Sequence, residues 1–269
     1  MRGNKSQNGG YFVTAQAQYF PSLVRVYVPN ASVLKGYTTP DKASQNFEDI
    51  ADRIANPDIF DETSLERSIR RSRKNIKDYL LCNAFEHFVT LTIATDRQNI
   101  DHSKAKVTNW IKNEKKRKGK FQYLLVPEFH KDGQSLHFHA VFQGYKGVIK
   151  RSFQHDGRPI AQNGRTVFHC SSYTSGFSNV KLIDAQQDSP TKVAYYLQKY
   201  VTKDMVMLFG QNRYWSSHGL KKPKKEDNPE DWYKVAKPDR QYVNDYGAIL
   251  EFEYGANPLV DMYIEANRP

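Results

Sequence analysis

The sequence predicts an α+β fold, a central antiparallel sheet flanked by helices, and three observations carry that expectation. An Asp132-Gly133 pair stands between two apolar arms, the strongest short-range hairpin signal because both central residues of a type I′ turn need positive φ. The segment HFVTLTI, residues 87–93, is β-branched and aromatic, as a buried strand should be. Helical segments lie on either side of these strands, so strands and helices mix around an antiparallel pair.

In chain order, residues 1–10 read as disordered and lack the apolar stretch of a secretory leader. YFVTAQAQYFPSLVRVYVP reads as one or two strands. TSLERSIRRSRKNIKDYLLCNAF opens with a capping box from Thr63 to Glu66. It then repeats Leu65, Ile69, Ile76 and Leu80 among Arg67, Arg70, Arg71, Arg73, Lys74 and Lys77, which makes a basic amphipathic helix. Its charged face either lies along phosphates or is simply solvated. After HFVTLTI, a second basic helix is expected over 103–118, and FQYLLVPEF then forms the first arm of the hairpin. Further strand-like segments, NVKLID among them, fall within 164–183. DSPTKVAYYLQKYVTKD starts a helix, with Ser189 as N-cap and Pro190 at the first helical position. RYWSSHGLKKPKKEDNPEDWYKV turns from basic to acidic and reads as the exit from the core. Three segments result: an N-terminal strand and helix extension over 1–84, a core over 85–222 and an acidic C-terminal extension over 223–269.

Composition narrows the class of partner. Forty Lys plus Arg against 29 Asp plus Glu leave +11. From Glu226 onward ten acidic residues face four basic ones, so residues 1–225 carry about +17. That basic body, rich in tyrosine and phenylalanine, suits a polyanion that binds through phosphate neutralisation and base stacking, as single-stranded DNA does. Only Cys82 and Cys170 are present, without a CxxC, which points to a reducing, cytoplasmic setting. No apolar run approaches the ~20 residues that cross a bilayer, so no membrane partner is expected. A GxxxxGK[ST] phosphate loop and internal repeats are also missing, which excludes a nucleotide-driven motor in this chain.

Chemistry concentrates in two places. If Asp132 and Gly133 form a two-residue loop, His130 faces Ser135, Phe129 faces Leu136, and Glu128 lies across from His137. Alternation puts His139 on the same face as His137 and Glu128, a solvent-side face whose histidines contribute little core. Phe129, Leu136, Phe138, Ala140 and Phe142 then fill the other face. Cross-strand Cβ atoms lie roughly 4.5–5.5 Å apart, close enough for two histidines and a glutamate to share a divalent ion. His130, on that face near the turn, rivals Glu128 as third ligand. On the helix after Pro190, Tyr196, Lys199, Tyr200 and Lys203 share one stripe, while Tyr195 points away and reads as the core aromatic. A nearby ammonium favours the phenolate of a tyrosine, and a phenolate can attack phosphorus. Plain packing of the two tyrosines against the sheet is the competing reading.

Together, LHFHAVF and, some fifty residues later, YLQKYVTK resemble the HUH endonucleases, the initiators of rolling-circle replication. His137-Phe138-His139 fits the two histidines around a bulky apolar residue, and Tyr196-Leu197-Gln198-Lys199 fits YxxK. Tyr200 supplies the second tyrosine of two-tyrosine initiators, such as the gene A proteins of small isometric phages, and HFVTLTI looks like that family's first motif. The resemblance spans 85–203 and is closest to small phage and plasmid replication-associated proteins. It implies an RRM-like core and a Mg²⁺ or Mn²⁺ held by His137, His139 and Glu128, with imidazole tolerating Zn²⁺ as well. It also implies nicking of single-stranded origin DNA by Tyr196 with a 5′-phosphotyrosine link, help from Lys199, and a second transfer by Tyr200 at termination. Lys203, Arg70, Arg71 and Lys74 would contact DNA. The helicase fused to some viral initiators is absent here, so a host helicase and a DNA polymerase are the implied partners. A plasmid relaxase or single-strand transposase shares the chemistry, and a non-catalytic nucleic-acid-binding protein shares the charge.

Overall fold

The computed structural model describes residues 11–35, 64–130, 132–184, 188, 190–200 and 213–269. Residues 1–10, the Thr63 end of the capping box, the Ser189 cap and Lys203 lie outside the described residues. From the N-terminus come strands β1 (Tyr11–Val13), β2 (Gln16–Tyr19), β3 (Leu23–Pro29) and β4 (Val33–Lys35), then helix α1 (Ser64–Cys82). Strand β5 (His87–Thr92) leads to helix α2 (Ile100–Lys118) and to the long strands β6 (Gln122–Phe129) and β7 (Leu136–Gln143). Short strands follow: β8 (Ile149–Arg151), β9 (Ala161–Gln162), β10 (Arg165–Thr166), β11 (Phe168–Cys170) and β12 (Ser178–Leu182). After helix α3 (Pro190–Gln198) come β13 (Trp215–Ser216), β14 (Lys224–Asp227), helix α4 (Trp232–Val235), β15 (Arg240–Asn244), β16 (Gly247–Glu253) and helix α5 (Pro258–Asn267).

The chain gathers into two compact units, residues 63–221 and residues 1–62 with 222–269. This grouping departs from the three segments drawn on the sequence. The basic helix α1 belongs with the core, because Ile69, Ile76, Tyr79 and Leu80 bury themselves against its sheet. The acidic segment is no mere exit. Its strands pair with the N-terminal ones in a sheet ordered β14-β2-β3-β16-β15, around a core that includes Tyr19, Val26, Trp232 and Phe252. Such pairings join positions more than 200 residues apart, and no local pattern announces them.

In the unit of residues 63–221, an antiparallel sheet runs β13-β6-β7-β5-β12-β11-β8. The fold is α+β with a central antiparallel sheet flanked by helices, as the sequence implies. One face buries Val89, Leu91, Leu125, Phe138, Ala140 and Phe142 under Val107, Trp110 and Ile111 of α2. Helix α2 begins three residues before the expected start, because the Asn99 side chain accepts from the His102 N–H at 3.0 Å and caps it. The other face buries Leu124, Val126 and Val141 under α1 and α3. Both faces are therefore packed, and the face expected to meet solvent is covered over part of its width.

Helix α3 turns the opposite way from expectation at one position. Ala194 and Leu197 are its buried residues, and Tyr195 is 65 % exposed. At about 100° per residue, a helix that seats 194 and 197 on the core must swing 195 outward. Small Ala194 lets the helix approach closely, which no tyrosine at the same spot would allow. Leu197→Ala should therefore lower unfolding free energy by about 2–5 kcal/mol in urea titrations, whereas Tyr195→Ala should change it by no more than about 0.5 kcal/mol.

Candidate active site

The register places the chemistry. Strand β7 pairs with β6 so that Glu128 faces His137 and Phe129 faces Leu136, the pairing that the sequence predicts. The turn that closes it is wider than expected. Gly133 adopts φ +69° and donates its N–H to the His130 carbonyl at 2.8 Å, and the His130 N–H donates to the Ser135 carbonyl at 2.7 Å. Asp132 supplies the reason: its carboxylate accepts from the N–H groups of Gln134 (2.9 Å) and Ser135 (2.8 Å) and from the Ser135 hydroxyl (2.6 Å). Those bonds hold it well below the usual carboxylate range and stabilise an Asx-type loop in place of the two-residue turn. The register survives because both arms are pinned by their apolar face.

On the far side of β7, strand β5 pairs Thr90 with His139 and Thr92 with His137. The Thr90 hydroxyl lies 3.2 Å from His139 Nδ1, and Glu128 Oε2 lies 2.7 Å from His139 Nε2. Both ring nitrogens of His139 are thereby held, and the residue is only 6 % exposed. It is no solvent-side histidine, since Tyr200 stacks on it with centroids 3.5 Å apart and planes 4° from parallel. His137 is half-buried and meets His130, with ring centroids 4.7 Å apart. Of the two candidate third ligands, Glu128 thus sits on His139 and His130 beside His137.

The tyrosines converge on the same point. Helix α3 ends at Gln198, so Lys199 and Tyr200 lie in the turn after it, where the Tyr200 N–H donates to the Leu197 carbonyl at 3.3 Å. The expected stripe still forms: the Tyr196 and Tyr200 rings are 5.4 Å apart at 87°, and Lys199 Nζ stands 3.9 Å from the Tyr196 centroid and 4.8 Å from that of Tyr200. Phe88 of β5 braces Tyr196 at 4.8 Å. Tyr196 is 42 % exposed while Tyr200 is 6 % exposed. Burial, the contact with Tyr196 and the Glu128 charge push the Tyr200 hydroxyl well above the ordinary phenol range.

Among the described residues, no group of three or more His, Cys, Asp or Glu side chains stands arranged to hold a metal ion, since Glu128 is turned onto His139 and His137 toward His130. The donors nevertheless fit one chemically. Two imidazoles and a carboxylate share a face of adjacent strands, and burial keeps both imidazoles neutral, the form that ligates. Thr90, able to donate or accept, orients His139 through its second nitrogen. The phosphate-facing candidates on α1 are less uniform. Arg71 is exposed, Arg70 is half-buried, and Lys74 Nζ pairs with Asp78 Oδ2 at 3.2 Å. Thr90 and Phe88 carry no signal of their own in the sequence, and only the β5–β7 pairing brings them to the site.

Residues 86–205 match a family model described as replication-associated protein ORF2. The match covers less than half of the chain, takes in every residue of this cluster and supports a replication-initiator family. No curated protein and no solved structure matches the chain. No helix among the described residues is long and apolar enough to cross a membrane.

The depressed basicity of His137 and His139 sets a pH dependence. Burial is the largest cause for both, reinforced at His137 by the neighbouring imidazoles and opposed at His139 by Glu128. Their folded-state values lie below the unfolded value near 6.5, so the unfolded chain binds more protons below that pH. The stability this confers is present above about pH 6.5 and is lost as pH falls through the folded values. In EDTA, the urea midpoint should drop between about pH 7 and about pH 5, and His139→Gln should flatten that drop.

Proposed function

We propose that the chain is a replication initiator that nicks single-stranded origin DNA by tyrosine transesterification and later rejoins it. The observation that carries this reading is the convergence of the Tyr196-Lys199-Tyr200 cluster on the His139-Glu128 pair, which brings nucleophile, cation and ligand donors to one point. His137, His139 and Glu128 would hold a Mg²⁺ or Mn²⁺. When bound, such an ion neutralises charge on the scissile phosphate and orients it.

The tyrosines divide the work by exposure. Tyr196 is accessible and has Lys199 against it, so its oxygen attacks phosphorus, forming the P–O(Tyr) bond as the P–O3′ bond breaks. The tyrosine proton is given up, and the departing 3′-oxygen takes one. A 5′-phosphotyrosine and a free 3′-hydroxyl result. That hydroxyl primes a DNA polymerase, a host helicase opens the duplex ahead, and the retained ester energy permits rejoining without ATP. Tyr200, stacked under cover on His139, serves the second transfer once the ring leaves that stack. Arg70, Arg71, Lys74 and Lys203 would contribute phosphate contacts near the tyrosines.

Incubation with single-stranded origin DNA and Mn²⁺ should give a protein–DNA adduct that survives boiling in detergent, and EDTA should abolish it. His137→Ala should cut adduct formation by more than about 100-fold, beyond the roughly 10–100-fold cost of losing a group that only orients a ligand. Tyr196→Phe should remove the first adduct, and Tyr200→Phe should retain it while impairing release of closed circles. An adduct of full yield in EDTA would defeat the metal role, and no adduct with any single strand would defeat the nicking reading.

A further inference from the structure

Phe177 is 82 % exposed, the most exposed large hydrophobic side chain among the described residues, yet its backbone is firmly fixed. Its carbonyl accepts from the Thr92 N–H at 2.9 Å, and its own N–H donates to Thr92 Oγ1 at 3.0 Å. The Ala94 N–H donates to the Ser175 carbonyl at 2.9 Å, and the Tyr173 hydroxyl donates to the Thr92 carbonyl, also at 2.9 Å. Gly176 makes the approach possible, because a Cβ there would lie 2.1 Å from the Thr92 oxygen. A loop held this tightly around an aromatic ring that gains nothing from the core is built to present that ring.

Its position is next to the candidate site. Strand β12 pairs Asn179 with Thr90 and Ser178 with Leu91, so Phe177 stands one register step on, opposite Thr92. Thr92 in turn faces His137, and His137 faces Glu128. Paired residues share a face. Phe177 therefore lies on the ligand-bearing face, two strand spacings or about 10 Å from His137. Asn179 and Lys181 continue that face along β12. On β11, Phe168 packs on the opposite core, which leaves His169 on this face and, across from it on β8, Lys150. Ring and cations together are the two generic components of a single-strand site.

We propose that Phe177 is a stacking platform for a nucleobase of the single strand that flanks the scissile phosphate, with Lys181 and Lys150 along the strand's path. The proposal rests on the nicking reading, since it takes its ligand from that reaction, and it names a substrate-positioning residue that the reaction itself does not require. Because a preset ring loses little freedom on binding, it aids affinity more than turnover.

The test uses the full chain and a fluorescent 20-nucleotide oligo-dT in EDTA, read by anisotropy, with an abasic strand of the same length as the second probe. Phe177→Ala should raise the dissociation constant for oligo-dT about ten-fold, within the range for loss of one stacked base, and Phe177→Trp should restore it to within about two-fold. Against the abasic strand, wild type and Phe177→Ala should bind alike. Equal binding of oligo-dT by wild type and Phe177→Ala overturns the proposal, as does an equal loss on both probes, which would mark a structural effect. A wild type that binds oligo-dT in this Phe177-dependent way but yields no adduct in Mn²⁺ defeats the nicking reading and leaves the stacking platform standing.

Discussion

Everything at the candidate site depends on one strand register. With β7 paired so that His137 meets Glu128 and Thr92, and His139 meets Val126 and Thr90, both imidazoles and the carboxylate stand on one side of the sheet. Side chains alternate with a period of two, so a slip of one residue would drive the histidines under α2 and turn Phe138 toward α3. The burial of Leu136, Phe138, Ala140 and Phe142 makes that slip costly, each large apolar side chain being worth roughly 1.5–3 kcal/mol when buried. The greasy half of the alternation is thus what fixes the chemical half.

The second constraint is the seat of α3. Ala194 and Leu197 press the helix onto Leu124, Val126 and Val141, immediately beside the residues that carry the ligand donors. From that seat Tyr200 reaches His139 and Tyr196 stays open, so two tyrosines one helical turn apart acquire different accessibilities. A division of labour between them needs no further device. Tyr200 also covers the His139 ring, which couples any movement of that tyrosine to the environment of the ligand.

Much of this is legible in the sequence because it is local. Asp132-Gly133 and the flanking alternation predict the Glu128–His137 pairing even though the turn itself is wider, for the register answers to the apolar face rather than to the loop. Tyr196, Lys199 and Tyr200 cluster as their spacing requires, although the helix stops at Gln198. What stays hidden is non-local. Tyr195 reads as inward from its spacing and stands outward in the fold, because nothing in the sequence shows which side of α3 meets the sheet. Thr90, Phe88 and Phe177 enter only through pairings of β5 with β7 and β12. The joining of N- and C-terminal strands into one sheet, likewise, links segments that share no pattern.

The central claim is that the reacting oxygen belongs to the tyrosine that stands open beside the ligand donors. Peptide mass spectrometry of the DNA-linked protein, isolated after a single round of cleavage, addresses it directly. The account requires the nucleotide on Tyr196. A modification on Tyr195, on Tyr200 alone or on any residue outside this cluster would contradict it.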